Sequence, residues 1–394
     1  MVRRASGTSR RNRLNAPQVS DDTAALADRV RHAHATGMAL RITGAGHWLD
    51  AGRPCRANAS LPLAGHAGIV EYEPGDLTMT VRAGTPLAAL RDVARGEGQW
   101  LPLDPFGHPG GTIGATIATA SSGPLSAAFG TPRDHVLGCE FITGTGEVVR
   151  GGGRVVKNVA GFDLVRLVTG AWGTLGVITE VSIRLRALPE IDRTVALETT
   201  AGEARRWLRA SEYTPLAAEM LSARLATDMG IGSRDTLLLR LGGNRALVHS
   251  AAESAGALAS CRDVDTAVWD ELRIREPAGA AVVRLSTSSS QVAALWDRVA
   301  SIVERAGGYA HATLQRGIVR CMLPVPSDDA EEHAKLRGIV GALLNLGSSV
   351  VERLPSSLWA AMVQPAASDA LSTGVRRAFD PAHVLNPGIL GEPA

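Results

Sequence analysis

Several stretches of this chain put small residues where a large anionic ligand needs a close wall. The first is Arg41-Ile-Thr-Gly44-Ala45-Gly46-His47. Gly44 and Gly46 let the main chain approach a phosphate, and their amides can form an anion nest. The pair follows a predicted strand, so a Rossmann dinucleotide loop has to be weighed. That loop needs a helix opening at the glycines, with its N-terminal amides on the pyrophosphate. Here the chain continues LDAGRPCRANASLP, too broken by Gly and Pro for a helix, and the third glycine is missing. A Rossmann loop is therefore rejected. A phosphate-binding loop of another kind, or a plain strand-to-loop turn, remains.

Three further windows share this character. Residues 109–124 read PGGTIGATIATASSGP, with no charge and with Thr112, Gly114 and Ser121 among small neighbours. Such a wall admits a flat cofactor closely, and its hydroxyls can bond phosphate or ring edges. A small-residue helix packed in a core explains the window equally well. Residues 151–163 read GGGRVVKNVAGFD. Lysine occurs only at Lys157 and Lys335, arginine serving elsewhere. A compact ammonium at Lys157 can counter a phosphate, a carboxylate or a reduced ring, unless it is an ordinary surface lysine. Residues 170–180 read GAWGTLGVITE, a glycine-punctuated turn feeding a buried strand. Its backbone can read the edge of a ring, or it is a plain tight turn.

These windows need elements to hold them. Asp21 and Asp22 cap a predicted helix that Gly37 stops, and 39–43 reads as a short buried strand. Alternation over 77–83 predicts a strand, and Pro86 opens a helix to Gly96. The character changes near Pro189. Beyond it, strands are expected at 236–241, 311–314 and 317–323, with amphipathic helices over 288–306 and 327–344. The organisation expected is a mobile basic leader over 1–18, a first domain over 19–190, a second over 191–350, and a tail over 351–394 that returns to the first.

Composition limits the function. The chain has 394 residues and a net charge of +2, which gives no electrostatic footprint for nucleic acid. Arg3, Arg4, Arg10, Arg11 and Arg13 precede the first acid, but no apolar stretch follows them as a secretory signal requires. The expectation is a cytoplasmic protein that meets a membrane only indirectly. Cys55, Cys139, Cys261 and Cys321 have no metal-ligand spacing, so no iron–sulfur centre is expected in this chain.

Taken together, AGTPLAAL, GQWLPLDP, TIGATIA, SGP, RDHVLG, VVKNVAGFDL, GTLGVITEV and FDPAHVLNPG occur in one order. That order resembles the FAD-binding subunit of glycolate oxidase, in the vanillyl-alcohol-oxidase or PCMH-type family of flavoproteins. The resemblance covers about 20–190 and 370–390. It is thin over 191–350, where HATLQRG from His311 is a faint match. It implies an α+β fold: a PCMH-type two-subdomain FAD-binding domain with a ferredoxin-like α/β cap. It also implies roles. Arg41, Gly44, Ala45, Gly46 and His47 match the first pyrophosphate loop. Thr112, Gly114 and Ser121 match the second cofactor segment, and Asp134 and Val136 the strand beside the adenosine. Gly173, Leu175, Gly176 and Val177 match the loop that touches the adenine by its backbone. Lys157, Asn158 and Asp163 match the KNVAG motif, and Asn386 matches the closing NPG near the isoalloxazine. Lys157 and Asn386 are the catalytic candidates.

His47 departs from the usual Thr or Ser, and RITGAGH matches the RxxGxGH of relatives whose flavin is covalently bound. A link from His47 to the flavin is therefore an open alternative. The cap holds no closely spaced histidine pair, so no catalytic metal is expected. The reading favoured is a glycolate oxidase subunit that acts on a 2-hydroxy acid beside a second FAD subunit and an iron–sulfur subunit. The alternatives are a free-standing FAD-dependent alcohol or hydroxy-acid oxidase and a non-catalytic scaffold that holds FAD.

Overall fold

A computed structural model describes residues 21–153, 163–325, 330–362 and 369–391. Among the described residues, nine strands lie before residue 190: β1 (Leu40–Thr43), β2 (Ala59–Pro62), β3 (Ile69–Glu73), β4 (Thr78–Arg82), β5 (Gln99–Trp100), β6 (Val136–Ile142), β7 (Val148–Gly152), β8 (Val177–Arg184) and β9 (Arg186–Ala187). Five of them form an antiparallel sheet in the order β3-β4-β8-β6-β7, while β1 and β2 pair in parallel. The alternation in β4 and β8 sends Met79, Val81, Val181 and Ile183 into one core. Helices Leu87–Gly96 and Ile113–Thr119 complete it with Leu87, Leu90, Ile113 and Ile117. Pro86 caps the first of these helices and Thr112 the second.

The second half is built on β10 (Ile191–Glu198), β11 (Ala217–Leu221), β12 (Thr236–Gly243), β13 (Cys261–Val264), β14 (Ala281–Ser286), β15 (Tyr309–Thr313), β16 (Ile318–Leu323) and β17 (Ser348–Arg353). These form one eight-stranded sheet, ordered β13-β10-β12-β11-β15-β16-β14-β17. Side chains alternate across its two faces. One face carries Val195, Leu239, Val283, Ala312 and Val319 against helices Ala201–Ala210, Arg245–Gly256, Val292–Arg305 and Ala330–Leu344. The other face is apolar at one end, where Leu221, Val282 and Met322 meet Trp269 and Leu272. The rest of that face is polar and turns toward the first half.

Several contacts join the halves. The Gly52 amide donates to Glu352 O at 2.8 Å, and Gly107 N to Arg273 O at 2.9 Å. Arg273 Nε donates to Pro105 O at 2.9 Å, and Arg316 Nη1 to Ser126 O at 3.0 Å. The chain then returns. Leu40 N donates to Val384 O at 2.7 Å and Asn386 N to Leu40 O at 2.9 Å, so the tail runs beside β1. Buried Asp380 fixes this turn by accepting from the amides of Val384 and Leu385.

Candidate active site

The loop after β1 faces the N-terminal half of helix Ile113–Thr119 across a long cleft. Its wall is made by Arg41, Gly44, Ala45, Gly46 and His47, by Thr112, Gly114, Ala115, Ala118, Thr119 and Ser121, and by Trp172, Gly173, Gly176 and Asn386. The cleft encloses about 1050 Å³, counting its open mouth. Close packing explains its small residues. A Cβ on Gly44 would lie 2.4 Å from Thr112 Oγ1, and one on Gly114 2.6 Å from the Ala83 Cβ. Three sequence windows therefore converge: the loop after β1, the start of the small-residue helix and the 172–176 turn.

The geometry suits an anionic, partly aromatic ligand. Among the described residues no carboxylate lines the cleft, and Arg41 does. Trp48 and Trp172 lie nearly parallel, 10° apart with centroids 6.5 Å from each other. The buried Trp48 Nε1 has no hydrogen-bond partner among the described residues, as expected of a donor kept for a ligand. Trp172 has φ of 54°, uncommon for a bulky residue. Hydrogen bonds hold it there: Trp172 N donates to Ala118 O at 2.8 Å, and Asn386 Nδ2 donates to Trp172 O at 2.7 Å.

Not every expected residue reaches the cleft. Asn386 lines it, but its amide is engaged at both ends, Oδ1 accepting from Ile42 N at 2.8 Å. That geometry gives it a positioning role. Val177 is fully buried in the core beneath, and Val136 starts β6 in the core. Leu175 lines a separate groove with Arg56 and Leu371. Asp134 closes a capping box with Thr131, and Asp163 caps helix Leu164–Val168 and pairs with Arg166. Each of these side chains is occupied by local structure. Lys157 and Asn158 lie outside the described residues.

The cleft continues into a chamber beneath the cap sheet, the two sharing Trp48, Phe106, Thr119, Ser121 and Trp172. Sequence reasoning had not found this chamber. Its ceiling is the polar sheet face: Arg284 on β14, His311 and Thr313 on β15, Arg320 on β16 and Glu352 on β17. Strand register puts His311 opposite Arg320, and Arg320 opposite Arg284, so all three share that face. Arg320 is buried between Glu276 at 2.6 Å and Glu352 at 2.7 Å. Burial opposes its charge, but the two carboxylates outweigh burial and hold its pKa above the ordinary value. Burial alone would push Glu352 up; Arg320 and Arg284 hold it below the usual carboxylate range. The signal was present in AVVRLS and IVRCML, each hiding an arginine in an apolar strand. A charge there requires partners.

A family model described as an FAD binding domain matches residues 19–152. The chain is 34% identical over 259 residues to glycolate oxidase subunit GlcE of Escherichia coli (strain K12), covering 64% of this chain and 69% of that protein. It is 36% identical over 127 residues to glycolate oxidase subunit GlcD of Bacillus subtilis (strain 168), covering 32% of this chain and 27% of that one. The solved structure of p-cresol methylhydroxylase with substrate bound superposes with a TM-score of 0.70 over 94% of this chain and 87% of its own, at 16% identity, a likeness of fold. Fold and cleft together define a PCMH-type FAD-binding flavoprotein, an FAD-dependent oxidoreductase of the class acting on CH–OH groups. Within that class, the chain belongs to the family of glycolate oxidase FAD-binding subunits. Among the described residues, no helix is long and apolar enough to cross a membrane.

Proposed function

We propose that this chain is one FAD-binding subunit of a glycolate oxidase or dehydrogenase complex, oxidising glycolate, a 2-hydroxy acid, to glyoxylate. One observation carries the reading: the glycine-walled cleft opens directly into a chamber roofed by arginines. A cofactor in the cleft and a small carboxylic acid in the chamber would then be neighbours. FAD, when bound, supplies the two-electron acceptor. The residues that would hold it are Arg41, Gly44, Ala45, Gly46, His47, Thr112, Gly114, Ser121, Gly173 and Gly176. The family resemblance adds Asp134, Val136, Asn158, Asp163, Leu175 and Val177 as cofactor-side positions and keeps Lys157 as a catalytic candidate. Trp48 and Trp172 shape the passage between cleft and chamber, and Asn386 fixes Trp172. The partners inferred are a second FAD subunit and an iron–sulfur subunit, in the cytoplasm, with any membrane contact made through them.

The test is a flavin spectrum of the purified chain under anaerobic conditions, alone and with its co-purifying partners. Glycolate, D-lactate and simple polyols are added in turn. Bleaching by 2-hydroxy acids, with iron in the purified complex, is expected. Bleaching by polyols alone would reject the substrate class. Colourless protein that refuses added FAD in titration calorimetry would reject the reading outright.

A second reading has its own observation. The His47 ring lies on the cleft wall, stacked on His108 with centroids 3.8 Å apart and planes 21° apart. Were FAD held in the cleft, a ring nitrogen of His47 would be a candidate to bond the flavin methyl, as in a free-standing oxidase with covalent FAD. Acid precipitation separates the readings: yellow pellet for the covalent link, yellow supernatant for its absence.

A further inference from the structure

We propose that His311, with Glu219 behind it, accepts the hydroxyl proton of the substrate, and that Arg316 binds its carboxylate. This rests on the hydroxy-acid reading above. In the cap's buried cluster, Arg284 and Arg320 both pair with Glu352, Arg320 also pairs with Glu276, and Arg353 bridges Glu276 and Asp50. Three arginines thus face three carboxylates. Arg316, on the turn between β15 and β16, lines the chamber and donates to the neutral Ser126 O. Arg316 stands outside these pairs; it is exposed, and its charge also acts on Asp134, which does not line the chamber.

His311 also stands outside these pairs. It is 2% exposed, and its Nδ1 lies 2.9 Å from Oε2 of Glu219, which is 0% exposed. With Glu219 as the carboxylate, Nδ1 carries the proton and donates it to Oε2. Nε2 then presents a lone pair. It is buried and has no hydrogen-bond partner among the described residues, although His311 lines the chamber. A buried unpartnered ring nitrogen costs stability unless a ligand completes it. Phe106 lies against both groups, its centroid 4.9 Å from that of His311 and 4.5 Å from the Arg320 guanidinium carbon. It is half-buried and lines both the cleft and the chamber.

The step assigned is proton transfer. The substrate O–H bond breaks and its proton moves to Nε2. The electron pair left on oxygen forms the C=O bond as the carbon-bound hydrogen departs with its pair to the two-electron acceptor, FAD. The products are a 2-oxo acid, reduced flavin and an imidazolium held by Glu219. Around that imidazolium stand Glu219 on β11, Arg320 on β16, Arg284 on β14, Glu352 on β17 and Arg316 on the turn.

The experiment uses the FAD-loaded full chain, with its partners if they co-purify, and oxalate as a substrate-shaped probe that cannot react. Calorimetry should show Arg316→Gln binding oxalate at least about tenfold more weakly, with FAD content unchanged. His311→Gln should bind oxalate within about threefold of the parent, which also proves that it folds. Its anaerobic flavin bleaching by glycolate or D-lactate should slow at least about a hundredfold. His311→Asn serves if His311→Gln is not stable. Glu219→Gln removes the charge that supports the imidazolium, so the acid limb of the bleaching rate should move to lower pH, which a merely structural residue would not cause. Unchanged oxalate affinity in Arg316→Gln, or parental bleaching in His311→Gln, overturns the proposal. A parent that binds oxalate through Arg316 yet is bleached by no 2-hydroxy acid overturns the hydroxy-acid reading, and the proton role with it.

Discussion

The fold resists ionisation of the Asp104 carboxyl. Burial lifts its pKa from 3.8 to about 6, against the pull of the Leu125 amide, Arg273 and Arg91. Its Oδ2 accepts from Leu125 N at 2.9 Å and so shapes the turn that follows Ser121. The folded state therefore holds this proton more tightly than the unfolded chain. Stability from this group is complete below pH 3.8 and is lost as pH rises through about 6. The shift corresponds to about 3 kcal/mol. Asp104→Asn keeps an acceptor for Leu125 N without the charge. Thermal melts should show it a few degrees more stable than the parent at pH 7.5, the advantage shrinking at pH 4.5. An equal difference at both pH values would show that the carboxyl ionises freely. Residues like this are hard to read from sequence, because GQWLPLDP shows neither burial nor the approach of Leu125. His311 was legible only as the start of a faint motif. Its partner Glu219 stands far away in the chain and met it through strand pairing. Gly44, Gly46, Thr112 and Gly173 were legible because close backbone approach restricts residue type whatever the distant context.

At the scale of elements, the first half followed its sequence signals closely. The helix Asp21–Thr36 ends before Gly37, β4 occupies the alternating run, and no helix follows Gly46. Local pattern sufficed because each element carried its own cap or period. The contact between β1 and helix Ile113–Thr119 is more demanding, since Gly44 leaves no room for a methyl group above Thr112 Oγ1. Gly44→Ala should force the two elements apart, and titration calorimetry should find FAD bound at least about tenfold more weakly. Binding at parental strength would mean that the loop relaxes without touching the cofactor. The tail makes a second such joint. Asn386 sits at φ of 44°, where asparagine is better tolerated than alanine, and its amide ties β1 to the Trp172 turn. Asn386→Ala should cost about 2–4 kcal/mol in the melt, from two lost hydrogen bonds and the strained backbone. It should also weaken FAD retention on gel filtration. The NPG motif signalled that this position matters, but not that backbone would take both ends of its amide.

At the scale of the molecule, the sequence showed that a sheet-and-helix layer follows residue 190 but not how its strands are ordered. Adjacent strands such as β11 and β15 are distant in sequence, and long-range pairing leaves no local trace. Nor did it show that a line of charges crosses from one half to the other. Asp50, on the cleft loop, pairs with Arg353 at 2.9 Å; Arg353 meets Glu276; Glu276 meets Arg320, which continues to Glu352 and Arg284. Gly52 N adds a hydrogen bond to Glu352 O beside it. Such a line couples the cap to the cleft, because neutralising an inner member leaves its charged neighbours with one partner fewer. Glu276→Gln tests this, since it leaves Arg320 with one carboxylate and Arg353 with Asp50 alone. The expected cost is about 3 kcal/mol, typical of breaking a buried pair from one side. Were the halves independent, only the cap would feel it. If they are coupled as the charges indicate, flavin release followed by fluorescence and unfolding followed by circular dichroism should fall together to the same lower temperature. A cap that melts early while flavin is released at the parental temperature would break the argument, because the cleft would then hold its shape without the roof.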